Sequence, residues 1–213
     1  MLKGGVYLSN RVFISFRFRD GNKYKEELTE LFHDSVKVIN CSEDKNRSNM
    51  SEDTIRKYLY DKLRNTSVTI VLITPEAITH QKNWYGKYDD WMHDEIRFSL
   101  EDRENNRCNG LIAVYVPEAE GSILCKTSCE RCDSKCTLTS IYDFDNIVRK
   151  NMMNVKVEYK RNSCDGVYDS NYDSYCSLVS WEDFKNNFED YITKADNKRF
   201  ETYKYELKKN MNK

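Results

Sequence analysis

The stretch "SVTIVLI", Ser67–Ile73, constrains the fold of this chain most. It is apolar and β-branched nearly throughout, with no polar alternation. A strand with one wet face alternates, whereas a run like this suits a strand covered on both faces. Such strands belong to parallel sheets with helices packed on either side. The run is also far too short to span a bilayer.

The segments around it fit that reading. "RVFISF" (Arg11–Phe16) predicts an opening strand, and "NKYKEELTELFH" (Asn22–His33) a helix with Leu28, Leu31 and Phe32 at helical spacing. "VKVI" (Val36–Ile39) predicts a second strand, followed by the polar, turn-like "NCSEDKNRSNM". Ser51 is a good N-cap, with Glu52 and Asp53 suiting the first turn of a helix whose inner face is Ile55, Leu59 and Leu63, with Tyr58 alongside. After "SVTIVLI" comes a helix in "YDDWMHDEIRFSL" (Tyr88–Leu100), then a fourth strand, "GLIAVYV" (Gly110–Val116). Strands alternating with helices predict an α/β fold, a parallel sheet with helices on both faces. Ligands of such folds bind beyond the carboxyl ends of the strands. Here those ends deliver "FRFRD" (Phe16–Asp20), "CSED" (Cys41–Asp44) and the loop from Thr74 to Asp90.

Beyond Val116 the pattern is less regular. Pro117–Ser140 reads as a Cys-rich insertion, "IYDFDNIVRK" as a short helix, and "NVKVEYK" as a fifth strand. Arg161–Ser177 reads as a polar, Tyr/Asp-rich loop. "SWEDFKNNFEDYITKA" predicts a helix capped by Ser180, with Asp183 at its third position. Its inner stripe is Trp181, Phe184, Phe188, Tyr191 and Ile192, read as core packing. A charged helix is expected from about Asn197 to Lys209. The organisation is thus an α/β domain over 11–160 with an insertion at 117–140, then a polar loop and C-terminal helices over 161–213.

One residue stands out in the Tyr88–Leu100 helix. With Trp91 at zero and roughly 100° per residue, Met92, Ile96, Leu100 and Phe98 trace an apolar arc. His93, Asp94 and Arg97 fill the rest. Glu95 falls inside the arc, between Trp91 and Ser99. A carboxylate there is paired, protonated or working. An ion pair at the rim of the core is the plain reading. The predicted fold favours a working residue, because this helix starts on the ligand edge of the sheet.

The 34 basic and 35 acidic residues are well mixed, giving a net charge of −1. That leaves no electrostatic footprint for nucleic acid or an anionic membrane. The opening "MLKGGVYLSN" lacks an apolar signal region, so a cytoplasmic protein is expected. There, eight cysteines point to metal or reduced thiols before disulfides. "CKTSCERCDSKC" places Cys125, Cys129, Cys132 and Cys136 within twelve residues. Four thiols so close suit a structural zinc ion, with an iron–sulfur cluster as the lesser option and an unmetallated loop as the plain one. Cys164 and Cys176 either pair or supply ligands. Cys41 and Cys108 read as ordinary cysteines, and the three histidines as scattered. No GxGxxG, GxxxxGK[ST] or HExxH is present.

"RVFISFRFRD", "NTSVTIVLIT" and "WMHDEIRFSL", in this order, resemble the three blocks of the bacterial TIR-like family found in Thoeris antiphage systems. The family pattern is a strand ending in Ser-Phe with a nearby Asp, a central Thr-Ser-Val-Thr strand, and a helix with Trp and Glu four residues apart. Here these are Ser15, Phe16 and Asp20, then Thr66 to Thr69, then Trp91 and Glu95. The Cys-rich insertion and the Tyr/Asp-rich loop depart from the short form of the family. The resemblance implies a flavodoxin-like sheet and cleavage of NAD+ at the nicotinamide–ribose bond, with Glu95 as the catalytic residue. It further implies a cyclic ADP-ribose isomer as product, a separate effector that responds to it, and self-assembly of the enzyme. In such a site Trp91 or Phe16 would form an aromatic wall. Of Phe16 and Phe18, one faces the core and the other the crevice rim. Arg17 either meets the pyrophosphate or is solvated, and Asp44 either holds a ribose hydroxyl or caps a turn. The loops Pro117–Ser140 and Arg161–Ser177 are candidates to cover the crevice. A non-catalytic interaction module and a nucleoside-processing enzyme of related architecture are the competing readings.

Overall fold

The computed structural model describes residues 9–42, 51–78, 91–102, 106–128, 137–141, 146–161, 164 and 166–209. Its centre is a five-stranded parallel sheet. The strands are β1 (Asn10–Ser15), β2 (Val38–Asn40), β3 (Val68–Ile73), β4 (Gly110–Tyr115) and, after a separate strand pair given below, β7 (Cys176–Ser180). They lie in the order β2-β1-β3-β4-β7. Counted within the sheet this is the 2-1-3-4-5 order of flavodoxin-like folds. β3 takes the centre, and all six of its residues are buried. That is the physical reason its sequence shows no alternation.

Helices cover both faces. On one side lie α1 (Phe18–His33) and α7 (Trp181–Lys198), where the Phe32 and Phe188 rings meet at 5.4 Å and Tyr24 meets Trp181 edge-on at 4.7 Å. On the other, α2 (Glu52–Leu63) and α4 (Trp91–Ser99) enclose a small cluster of Phe13, Leu59, Leu63 and Phe98. Ser51 caps α2 by accepting from the Thr54 amide, and Ser180 caps α7 by accepting from the Asp183 amide. In α7, Trp181, Phe184 and Ile192 are buried, with Phe188 and Tyr191 packed against the core.

The sequence reading needs correction in its C-terminal half. "NVKVEYK" is not the fifth strand. Val155 makes a single antiparallel bridge with Tyr205, and Val157–Tyr159 is a 3₁₀ turn. The fifth strand is "CSLVS", whose Cys176 and Ser177 the sequence reading left at the end of a loop and whose Ser180 it took only as a helix cap. Nor does a charged helix close the chain: α7 ends at Lys198, and Thr202–Lys204 is one 3₁₀ turn. Where the insertion was expected lie α5 (Pro117–Ile123) and a two-stranded antiparallel sheet of β5 (Leu124–Ser128) and β6 (Thr137–Ile141). Helix α1 starts at Phe18 rather than Asn22, so Phe18–Asp20 form its first turn. Two short helices complete the order, α3 (Pro75–Ile78) after β3 and α6 (Asn146–Lys150) inside the expected "IYDFDNIVRK". No helix among the described residues is long and apolar enough to cross a membrane.

Candidate active site

Strand parity and helix spacing bring Ser15 and Glu95 together. Successive side chains on a strand point to opposite faces. Val12 and Ile14 join the main core, while Phe13 joins the cluster under α4. Ser15 shares Phe13's face and so also turns toward α4. On that helix Phe98 and Glu95 are three apart and share a side. The result is a hydrogen bond from Ser15 Oγ to Glu95 Oε2 of 2.6 Å. Ser15 is fully buried and Glu95 partly so. The contact sits where β1 ends, at the carboxyl edge of the sheet.

A chain of buried polar groups fixes α4 to β3. Asn109 Nδ2 donates to Thr69 Oγ1 at 3.0 Å and to Thr66 Oγ1 at 2.8 Å. Thr69 and Ser99 hydroxyls lie 2.7 Å apart, and Ser99 Oγ donates to the Glu95 carbonyl at 2.7 Å. Each hydroxyl has one proton, so the direction follows: Asn109 to Thr69, Thr69 to Ser99, Ser99 to the Glu95 backbone. The Asn109 amide also donates to the Ser99 carbonyl, at 2.6 Å, and Tyr175 OH to the Asn109 carbonyl, at 2.9 Å. Burial holds the Tyr175 phenol well above its ordinary value. The sequence reading noted Ser99 only as a neighbour of Glu95 and Thr69 only as part of the central strand and of the Thr66–Thr69 block.

The other expected residues divide. Phe16 packs half-buried against the core, while Phe18 is exposed. Arg17 is the residue before α1 and is partly buried. Asp20 is tied into the scaffold, accepting from Thr74 Oγ1 at 2.8 Å and from the Glu76 amide at 2.8 Å. It thereby joins the first turn of α1 to the end of β3. Asp44 and the side chain of Trp91 lie outside the described residues.

Residues far apart in sequence add to the same edge. α5 starts directly after β4, and its Glu118 accepts from Lys23 Nζ at 2.9 Å and from Tyr24 OH. The Tyr24 hydroxyl, then the Lys23 ammonium, hold the Glu118 carboxyl down at about 2. Burial first, and this bond second, raise the Tyr24 phenol. Sequence spacing offers no signal for a pair that bridges two crossovers.

The expected zinc finds no support. Among the described residues no group of three or more His, Cys, Asp or Glu could hold a metal ion. Cys129, Cys132 and Cys136, and the side chain of Cys125, lie outside that set. Cys164 and Cys176 do not pair. Neither they nor Cys41 and Cys108 form a disulfide, and burial pushes the Cys176 thiol up to about 12. The loop before β7 does not cover the crevice in its described part. Tyr175 reaches Asn109, which precedes the start of β4, at the amino edge of the sheet.

A parallel 2-1-3-4-5 sheet, with a carboxylate-bearing helix set against the carboxyl end of its first strand, is the architecture of a TIR-like domain. The chain belongs to the family described as "Thoeris protein ThsB, TIR-like domain", whose model matches residues 13–121. It is also similar to the TIR domains in the activated Roq1 resistosome that recognises the pathogen effector XopQ. There it is 18% identical over 51% of this chain, with a TM-score of 0.30, and spans 58% of the length of that chain.

Proposed function

We propose that this chain cleaves NAD+ at the nicotinamide–ribose bond and forms a cyclic ADP-ribose isomer as a signal in antiphage defence. The observation that carries the reading is the Ser15–Glu95 contact at the carboxyl edge. The carbon–nitrogen bond of a nicotinamide riboside breaks with its electron pair leaving on a neutral pyridine. No proton needs to be delivered to the leaving group. The ribose becomes oxocarbenium-like, as in glycoside hydrolysis. A carboxylate held still near that carbon stabilises the charge as it develops. The buried Met92 and Ile96 give the helix around it an apolar face, and an apolar setting strengthens the carboxylate's field by keeping water away. The hydroxyl of Ser15 limits the rotamers open to Glu95, and Ser99 and Thr69 hold the helix that carries it.

Capture of the ribosyl carbon by a nucleophile of the same molecule closes a ring, and capture by water gives linear ADP-ribose. A water-excluding crevice favours the ring. The product then acts on a separate effector, and self-assembly of the chain sets when the crevice becomes competent. The test is incubation of purified, concentrated protein with NAD+, with nicotinamide and adenine-containing products read by mass spectrometry. Nicotinamide with a cyclic product is the expected result. Glu95→Gln should lower the rate about a hundredfold to a thousandfold without loss of folding. A variant that releases nicotinamide at the wild-type rate overturns the assignment.

A further inference from the structure

A second place in the molecule has the makings of a binding site. Helix α7 starts just after its cap, Ser180, on the carboxyl edge and runs back through a kink at Asn187 to Lys198. Its last turns reach the amino edge, where Arg199 Nε donates to the Cys108 carbonyl at 2.9 Å. There a cavity of about 510 Å³ opens between the end of α7, the turn that follows it, and the loop before β7. It is lined by Arg161, Tyr172, Lys194, Lys198, Phe200 and Lys204, among others. It lies across the sheet from Glu95.

Two of its cations have no carboxylate within ion-pair distance among the described residues. Lys198 is 4% exposed, and its Nζ donates to the Ser174 carbonyl at 2.6 Å and to Ser177 Oγ at 2.8 Å. Both acceptors are neutral, and an ammonium has three protons to give. Burying a charge this way is costly unless something negative compensates it. Asp169 and Asp173 are near enough to be felt, but Asp173 directs its oxygens to the backbone amides of Arg161 and Asp169. The Arg161 guanidinium lies 3.4 Å over the Tyr172 ring, which orients it without neutralising it. Lys194 and Lys204 pair with Asp190 and Glu201 in partly exposed bridges within one helical turn, which are weak and easily exchanged for a ligand. Glu201 also lines the cavity and is its acidic counterweight.

The chemistry is that of an anion site with aromatic walls. Phe200 is 57% exposed and Tyr172 37%. The volume falls in the range of small-molecule sites and far exceeds what a bare oxyanion fills. Arginine and lysine together hold a phosphate, and a stacked guanidinium or an exposed ring accepts a flat heterocycle. We propose that this cavity binds a phosphomonoester carrying a flat ring, a mononucleotide, at a site separate from the crevice at Glu95. Arg161 and Lys198 hold the phosphate, and Tyr172 and Phe200 face the ring. This assignment does not depend on what the crevice cleaves.

The test is titration calorimetry of the full chain with adenosine 5′-monophosphate, with adenosine, and with inorganic phosphate. AMP should bind at least tenfold more tightly than either fragment. Arg161→Ala and Tyr172→Ala, both at partly exposed positions, should each weaken AMP at least tenfold, and Glu95→Gln should leave it unchanged. Absence of heat at millimolar AMP overturns the proposal, as does binding that survives both cavity variants. Loss of binding in Glu95→Gln would place the nucleotide in the crevice instead. Equal affinity for phosphate and AMP would remove the aromatic half of the assignment.

Discussion

Gly110 and Ala195 touch through their backbones. A Cβ placed on Gly110 would lie 2.1 Å from the Ala195 carbonyl oxygen. Gly110 opens β4, and Ala195 is in the last turn of α7, so this contact sets how closely that helix lies on the sheet. The obstacle is backbone and cannot rotate away. Gly110→Ala should therefore push α7 off β4 and destabilise the fold by about 3 kcal/mol, lowering the melting temperature by roughly 6–12 °C. Thermal unfolding followed by circular dichroism measures it.

Ser15→Ala removes the donor to Glu95 while leaving a small buried side chain. A hydrogen bond to a charged group contributes about 1.5–3 kcal/mol. If Ser15 positions the carboxylate for NAD+ cleavage, turnover at a temperature where the variant is fully folded should fall about tenfold to a hundredfold, beside a melting temperature lower by roughly 3–12 °C. Unchanged turnover beside a lower melting point would show that the bond only packs the helix.

Thr69→Val keeps the shape of the side chain and deletes the middle of the Asn109–Thr69–Ser99 relay. Two buried partners then lose a hydrogen bond, one on each side. A loss of about 1–3 kcal/mol is expected. The Ser99→Ala change in the same background should add less than it does alone, since one chain is being cut twice. A double-mutant cycle in urea reads this coupling.

Lys198 gives the protein an alkaline dependence with a definite sign. Burial lowers its folded value to about 8, opposed by its electrostatic interactions with Cys176, Asp169 and Asp173 and aided by the Lys194 charge. The unfolded lysine titrates near 10.5. Between those two values the unfolded chain binds more protons, so stability rises with pH. Relative to Lys198→Met, the wild type should gain stability from pH 8 to 10. The difference between their urea midpoints across that window is the measurement, and a flat difference would refute the assignment.

The elements legible in the sequence are those whose signal is local. β3 reads correctly because its central place demands six consecutive apolar or β-branched residues. Helices α2 and α7 read correctly because Ser51 and Ser180 announce their caps and the apolar stripes repeat at helical spacing. The odd position of Glu95 within an apolar arc is likewise visible from periodicity alone. The fifth strand is not. "NVKVEYK" has the stronger strand pattern, yet "CSLVS" forms the strand because it finds β4 as a partner, with Leu111 opposite Cys176 and Tyr115 opposite Ser180. Pairing choice is a property of two segments, and no single window contains it.

The sequence by itself thus determined the fold class, most of the elements and the suspicion attached to Glu95, because periodicity, propensity and capping act over a few residues. Tertiary structure decided what those residues touch. It set Ser15 against Glu95 across 80 positions, Tyr24 against Glu118 across 94, and Arg161 with Lys198 around one cavity. Such contacts arise from strand order and from the angle at which a helix returns over the sheet. Those depend on how all the apolar faces are buried together, a sum over the whole chain.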